Sequence, residues 1–236
     1  MKKSRIEAQF DFVSRGAEVS DCGEYILITT HQECRDNLVY FTKCKGSEEI
    51  TGLFDLTQVV YKFEHDFEYI ANNGSKFVFR TNRDAPNYRL VTIDLDYTPT
   101  DDNVSKQNPW PMTTLIPESK DQVLEWATVA DDNKLILCYL KDVKSVMFVH
   151  DLNDGKQLFN IPLDIGSVTS VFARRKYSEF YFMFNSTIIP SVSYKVNDLM
   201  FDKALMFPLI FVKFALFDKG IHLFFLCFEA FNCRIW

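Results

Sequence analysis

The side chains that could act as nucleophiles or bases are scattered along this 236-residue sequence rather than grouped at catalytic spacings. None of the four histidines lies in an H-E-x-x-H pattern or at another metal-ligand spacing. His150 stands beside the carboxylate of Asp151, which suggests a dyad. Adjacent residues of a strand point to opposite faces, so a structural role is favoured over a catalytic dyad. The sequence therefore assigns no catalytic residue.

The sequence also lacks the glycine patterns that are typical of serine hydrolases and of phosphate-binding loops. A serine hydrolase places its nucleophile in G-x-S-x-G, and this pattern does not occur. The serines after Gly46, Gly74 and Gly166 lack the second glycine, which indicates turns. Neither G-x-G-x-x-G nor G-x-x-x-x-G-K-[ST] is present, so no phosphate-binding loop is predicted.

Metal and cofactor sites are not indicated either. The six cysteines form no C-x-x-C pair, which argues against a zinc ribbon or a thioredoxin-type motif and favours a reducing, cytoplasmic setting. The acidic pairs Asp101-Asp102 and Asp131-Asp132 fit solvated loops better than calcium ligands, because EF-hand spacing is absent. A net charge of −6 argues against a nucleic-acid partner. We expect no metal and no cofactor.

The elements that position these residues are predicted to be β-strands. Aromatic residues make up 15% of the chain and suit the half-buried surface of a sheet. Strand-like runs ending in Asp-Leu recur at Asp94, Asp151 and Asp198, at spacings of 57 and 47 residues. An earlier run, Asn37 to Thr42, lacks the Asp-Leu ending, and a hairpin-like segment precedes each of the four runs, at residues 17–28, 69–79, 127–138 and 170–184. In the first three hairpins the predicted turns are Asp21-Cys22-Gly23, Asn73-Gly74 and Asp132-Asn133, which contain residues that tolerate positive φ.

A unit of roughly 45 to 60 residues with about four short strands is the period of a β-propeller blade. The sequence predicts an all-β fold of about four four-stranded blades. The Trp-Asp signature of WD40 blades and the double glycine of kelch blades are both absent, so another blade family is indicated.

Several stretches within residues 12–199, about four fifths of the chain, carry a resemblance to a known family. The stretches are Gly16 to Asp21 with Gly23 and Tyr25, Phe79 to Arg89, Val123 to Trp126, Leu137 to Val143, His150 to Leu152 and Pro162 to Val168. In this order they resemble the propeller domain of the prolyl oligopeptidase family.

The resemblance implies a serine-type endopeptidase that cleaves short peptides after proline. In that family a seven-bladed propeller gates access to an α/β-hydrolase domain, and this chain would hold roughly the last four blades. The resemblance also aligns Cys34 with a cysteine of the substrate pocket. Two departures from the family alter that pocket: His31 replaces the usual arginine, and Val13-Ser14 replace a bulky apolar pair.

Beyond Leu199 the sequence changes character. Residues 200–236 contain 9 of the 23 phenylalanines and match nothing in the family. A membrane span needs about 20 consecutive apolar residues, and Lys213, Asp218 and Lys219 interrupt this tail. We expect no span. An interfacial or disordered tail is one alternative; the favoured hypothesis is the product of an abnormal exon end or reading frame.

Three segments are thus predicted: an N-terminal extension at 1–11, a partial propeller at 12–199 and an unrelated hydrophobic tail at 200–236. The favoured function is that of a prolyl oligopeptidase fragment without its catalytic domain, inactive alone. It would meet short proline-containing peptides only when joined to a hydrolase domain. The alternative is a non-enzymatic propeller that binds a protein or peptide. Open blade edges predict that the chain self-associates.

Overall fold

The computed structural model describes residues 14–32, 35–44, 54–97, 110–188, 191–197 and 205–209, the last range by its backbone alone. These residues form sixteen strands. In chain order the strands are β1 Ser14–Val19, β2 Tyr25–His31, β3 Asn37–Lys43, β4 Thr57–Val60, β5 Phe67–Asn73, β6 Lys76–Thr81, β7 Arg89–Asp94, β8 Met112–Ile116, β9 Val123–Ala130, β10 Lys134–Lys141, β11 Lys144–Asp151, β12 Gln157–Ile161, β13 Ser167–Ala173, β14 Phe180–Asn185, β15 Val192–Asn197 and β16 Leu205–Leu209.

The strands form four sheets of four, each in chain order: β1 to β4, β5 to β8, β9 to β12 and β13 to β16. Within the recorded registers every pair of neighbours is antiparallel. The prediction of four four-stranded blades is therefore confirmed. Among the described residues there is no helix that could cross a membrane.

Turn residues with positive φ close the hairpins, as the sequence predicts for the first two sheets. Gly23 has a φ of 75° and Gly74 one of 58°, which glycine adopts without a Cβ clash. In the third sheet the left-handed residues are Asp131 and Asp132, with φ of 45° and 61°. The sequence prediction placed that turn one residue later, at Asp132-Asn133.

The fourth sheet takes its last strand from the segment predicted to be a hydrophobic tail. β16 pairs with β15 from Asn197 opposite Leu205 to Ser193 opposite Leu209. Pro208 lacks an amide hydrogen, and β16 lies at a sheet edge, where a proline is tolerated. The remaining tail residues lie outside the described part of the chain, and the boundaries at 11 and 199 stay predictions.

The chain divides into two compact units, Met1–Ala127 and Thr128–Trp236, with the division inside β9. In the first unit, aromatic rings from the first two sheets meet in one core. The rings of Tyr25 and Phe77 lie 5.1 Å apart between centroids, and those of Phe41 and Trp110 lie 5.8 Å apart, both edge to face. Such pairs add to the stabilisation that buried apolar area provides.

The second unit is held by an aromatic row on β14. Phe180, Phe182 and Phe184 alternate along the strand and are all buried, as one face of a sheet requires. Gly166, which precedes β13, packs tightly against this row. A Cβ at Gly166 would clash with the Asn185 carbonyl oxygen and the Phe184 ring. Close packing, as well as turn formation, therefore explains this glycine.

Candidate functional site

The turn between β2 and β3 carries Cys34, the sequence-predicted substrate contact. Cys34 itself lies outside the described residues, whereas both flanks of the turn are described. His31 Nδ1 lies 3.3 Å from the Arg35 carbonyl oxygen. The flanks are thus tied together across the base of the turn.

Asn37 anchors the turn to the second sheet. Its side chain is almost fully buried, donates a 2.8 Å bond from Nδ2 to the Phe67 carbonyl and accepts one of 2.8 Å at Oδ1 from the Phe67 amide. Its backbone amide donates to the His65 carbonyl at 3.1 Å. Because Phe67 begins β5, this exchange fixes where the Cys34 turn meets the second sheet.

A buried arginine organises the neighbouring surface of the second sheet. Arg80 of β6 donates from Nη1 to a Glu68 carboxylate oxygen at 2.8 Å and from Nε to the Leu124 carbonyl at 3.0 Å. Its guanidinium lies 3.8 Å from the centroid of the Tyr88 ring and 3.8 Å from an Asp66 oxygen. One planar cation thus bridges two strands, a carboxylate pair and an aromatic ring, which suits arginine better than lysine.

Burial shifts the pKa values of the two carboxylates beside Arg80. Burial raises the pKa of Asp66, while Arg80, a hydrogen bond from Tyr88, and the positive charges of His31 and Arg35 oppose the rise. Burial also raises the pKa of Glu68, which Arg80 opposes and Asp66 reinforces. Asn37 bonds to Phe67, which lies between Asp66 and Glu68 in the chain, so the flanks of the Cys34 turn lie next to the Arg80 cluster. We call the two together the Arg80 surface: His31, Arg35, Asp66, Glu68, Arg80 and Tyr88.

The same kind of junction recurs at later sheets with different residues. The Asn87 carbonyl accepts from the Leu124 amide at 2.9 Å. In the second unit Ser145 donates its amide to the Gly166 carbonyl, and its hydroxyl accepts from the Val168 amide at 3.0 Å. In each case a residue at the start of the third strand of one sheet forms hydrogen bonds with the backbone at the start of the first strand of the next sheet.

The other candidate groups have structural partners. His150 Nδ1 lies 2.9 Å from the Gly155 carbonyl oxygen, and burial lowers the pKa of this histidine, which the Gly155 contact opposes. Asp151 accepts bonds from Asn153 and Asn133 instead of facing the imidazole. His150 and Asp151 thus hold turns and form no dyad. Among the described residues no group of three or more metal-binding side chains is found.

A family model described as the prolyl oligopeptidase N-terminal β-propeller domain matches residues 6–201. The chain belongs to the prolyl oligopeptidase family. The match confirms the resemblance seen in the sequence, and it covers the Arg80 surface, the Cys34 turn and all four sheets up to β15.

Curated relatives of this family are similar along most of the chain. A prolyl oligopeptidase of Dendrothele bispora is 29% identical over 189 residues, covering 79% of this chain and 24% of the relative. One of Omphalotus olearius is 30% identical over 189 residues, with 80% and 24% coverage. A prolyl endopeptidase of Dictyostelium discoideum is 28% identical over 196 residues, with 81% and 25% coverage. The chain spans about a quarter of the length of these relatives.

A solved structure shows the same fold. Prolyl oligopeptidase B from Galerina marginata, as the apo protein, superposes with a TM-score of 0.70 at 22% identity, covering 83% of this chain and 26% of that one. The same enzyme bound to a 35mer hydrolysis and macrocyclization substrate gives 0.69 at 23% identity, with 78% and 24% coverage. At these identities the likeness establishes the propeller fold alone.

Sequence reasoning did not single out Asn37, Asp66 or Arg80. Arg80 and Tyr88 both lie in the stretch 79–89, which carries part of the family resemblance, so that stretch was the available signal. Asn37 gave no signal, because its partner Phe67 is 30 residues away.

Proposed function

We propose that this chain supplies propeller blades to a serine peptidase of the prolyl oligopeptidase type, which acts on short proline-containing peptides. The carrying observation is the family match to a propeller domain over residues 6–201, in a sequence that has no G-x-S-x-G. In this proposal the nucleophile belongs to a hydrolase domain, and the blades contribute to the walls through which peptides reach it. The 236-residue chain alone is then inactive.

Within this function we propose that Cys34 contacts the substrate. The support is its position in a turn whose flanks belong to the Arg80 surface, together with its alignment to a pocket cysteine of the family. A thiol there offers a small, polarizable contact. His31 stands where the family usually has arginine and lacks the guanidinium fork that binds a carboxylate through two hydrogen bonds, so we expect reduced preference for acidic peptides.

The test has two arms. The chain alone, incubated with a fluorogenic proline-containing peptide, should show no cleavage above buffer; cleavage would contradict the proposal. In the second arm residues 12–199 replace the matching segment of the Omphalotus olearius enzyme. Retained cleavage in a folded chimera supports a propeller role, and Cys34→Ser in that chimera should raise KM. The substitution Cys22→Ser, on the β1–β2 turn, serves as the matched control.

The alternative, a non-enzymatic module that binds a peptide, is supported by the same absence of a nucleophile pattern in the sequence. Calorimetric titration of the chain with the reporter peptide separates the two. Saturable binding without cleavage in the chain alone, together with a folded but inactive chimera, would favour the binding module.

We further propose that the chain self-associates and lies in the cytoplasm. Every residue of the edge strand β1 is exposed, including Val19, and an exposed edge can pair with another chain. The absence of a C-x-x-C pair is the support for a reducing compartment. Light scattering after gel filtration tests the first point, since a monomer at all concentrations would contradict it. Localisation of a tagged chain tests the second.

A further inference from the structure

The sequence contains a single Asn-Gly pair, Asn73-Gly74. In such a pair the amide nitrogen of the glycine can attack the side-chain carbonyl carbon of the asparagine, because the glycine has no Cβ to hinder the approach. The reaction is intramolecular and needs no enzyme. Asn73 is therefore the asparagine of this chain that the following residue hinders least.

The structure places this pair at the exposed tip of the β5–β6 hairpin. Asn73 pairs with Lys76, so Gly74 and Ser75 alone form the connection. Gly74 has a φ of 58°, and glycine at the first position of a two-residue connection is typical of a type II′ turn. In the described part of the chain, no atom beyond the adjacent residues lies within 4 Å of the place that a Gly74 Cβ would occupy. The turn therefore has room for a cyclic intermediate and for water.

The preceding residue, Asn72, joins this turn to the first sheet. Its side chain is 1% exposed, and Nδ2 donates to the Gly74 carbonyl at 2.8 Å and to Cys22 Sγ at 3.2 Å. Oδ1 accepts from the Asp21 amide at 3.1 Å and from the Tyr69 hydroxyl at 2.7 Å. We call these four contacts the Asn72 clasp. Because Asp21 and Cys22 lie in the β1–β2 connection, the clasp couples the position of the Gly74 carbonyl to the first sheet.

We propose that Asn73 is a site of spontaneous deamidation and that its isoaspartyl product opens the Asn72 clasp. In the first step the Gly74 nitrogen forms a bond to Asn73 Cγ. The bond from Cγ to the side-chain nitrogen breaks, and the Gly74 amide proton leaves with that nitrogen as ammonia. Water then opens the resulting succinimide, either at Cγ to give aspartate or at the main-chain carbonyl carbon to give isoaspartate. The sum is one water consumed and one ammonia released.

The isoaspartyl product changes the length of the main chain at a turn with a fixed geometry. Its main chain runs through Cβ and Cγ, which inserts one extra atom before Gly74. Because the register of a hairpin depends on loop length and turn type, the Gly74 carbonyl must move away from Asn72 Nδ2. A buried amide that loses its acceptor is costly. We therefore expect the β1–β2 and β5–β6 connections to separate, an effect that does not depend on peptidase activity.

Ageing of the full-length chain tests the chemistry. The folded protein is held at mildly alkaline pH, digested and analysed by peptide mass spectrometry, with an isoaspartyl methyltransferase as the probe for isoaspartate. Position 73 should convert about tenfold faster than Asn153, an exposed asparagine that is followed by Asp154 and its side chain. A parallel sample in urea gives the rate for the unfolded chain. Conversion of Asn73 in urea but not in the folded protein would overturn the proposal, because the native turn would then protect it.

Two substitutions in the same turn test the part that glycine plays. Gly74→Ala should slow conversion of Asn73 about tenfold, because it places a Cβ beside the attacking nitrogen. Ser75→Ala is the matched control and should leave the rate unchanged. Equal rates in the two variants would overturn the proposal, and the ageing of the unsubstituted chain remains decisive if Gly74→Ala does not fold.

Hydrogen exchange tests the structural consequence. In the isoaspartyl fraction, isolated by chromatography, the amides of the β1–β2 and β5–β6 hairpins should exchange about tenfold faster than in fresh protein, because local opening exposes them. Fresh Asn73→Asp protein is the matched control, since it carries the same charge without the extra main-chain atom, and it should exchange like the unsubstituted chain. Equal exchange in the isoaspartyl fraction and in fresh protein would overturn the opening of the clasp.

Discussion

Replacing Val143 by glycine should stabilise the protein. The hairpin between β10 and β11 is closed by two residues, since Lys141 pairs with Lys144. Both connecting residues are left-handed, with φ of 49° at Asp142 and 62° at Val143. This is the type I′ pattern, for which Asp-Gly is a preferred sequence. A β-branched residue at the second position is therefore strained.

The size of the effect follows from two opposing contributions. The left-handed conformation costs an L-residue roughly 1–2 kcal/mol, and glycine removes that cost. Glycine also gives the unfolded chain more freedom, which costs roughly 0.5–1 kcal/mol. Val143 is 90% exposed, so little packing is lost. We expect a net gain of about 0.5–1 kcal/mol, or about 1–4 °C in Tm for a chain of this size.

Thermal unfolding, together with hydrogen exchange of the β10 and β11 amides, measures this gain. Val143→Gly should raise Tm and slow exchange in the hairpin. Lys141→Gly is the matched control, because it places a glycine two residues away in ordinary strand conformation and should lower Tm. If both glycines lower Tm, backbone strain at Val143 is not what limits the hairpin, and the reasoning is refuted.

Three further substitutions test the buried polar contacts. Asn37→Asp should cost about 1–3 kcal/mol in urea unfolding, because a carboxylate cannot donate to the Phe67 carbonyl and leaves it unsatisfied; unchanged stability would contradict the anchoring role. Arg80→Lys should cost about 1.5–3 kcal/mol by the same measurement, since lysine cannot bridge two acceptors while stacking on Tyr88. Burial raises the pKa of Tyr139 from 10.0 to about 12, so this phenol ionises in the unfolded chain first, and the free energy of unfolding, unaffected by it below pH 10, falls by about 3 kcal/mol as pH rises through 12. Tyr139→Phe should flatten that part of the alkaline unfolding profile, and an unchanged profile would count against it.

The strand framework was predictable because it is a local pattern. Each hairpin segment and each Asp-Leu run maps onto the strands of one sheet, and the positive φ of Gly23 and Gly74 follows from residue type. Val143 could not be anticipated in the same way, since valine disfavours the conformation that a two-residue hairpin imposes on it. The strand β16 was missed because the aromatic composition of the tail hides the pairing of Leu205–Leu209 with β15.

The Arg80 surface was largely unpredictable because its contacts join distant parts of the sequence. Arg80 and Leu124 are 44 residues apart, and Asn37 and Phe67 are 30 apart. Local periodicity in the sequence does not predict contacts between residues so far apart. The family resemblance included Arg80 within one stretch without assigning it a role, and the geometry supplies that role as a bridge between β5, β6 and β9.

The junctions between successive sheets share a hydrogen-bonding geometry but no common sequence motif. At the start of each first strand, backbone groups need a hydrogen-bond partner, because an unsatisfied buried group is costly. Asn37 satisfies Phe67 with a side-chain amide, Asn87 satisfies Leu124 with its own carbonyl, and Ser145 uses a hydroxyl together with its amide. Several residue types can therefore meet the same backbone demand, so these junctions share a geometry without sharing a residue. Asn37→Ser should therefore be tolerated better than Asn37→Leu, because a hydroxyl can still replace one of the two bonds to Phe67 and leucine can replace neither.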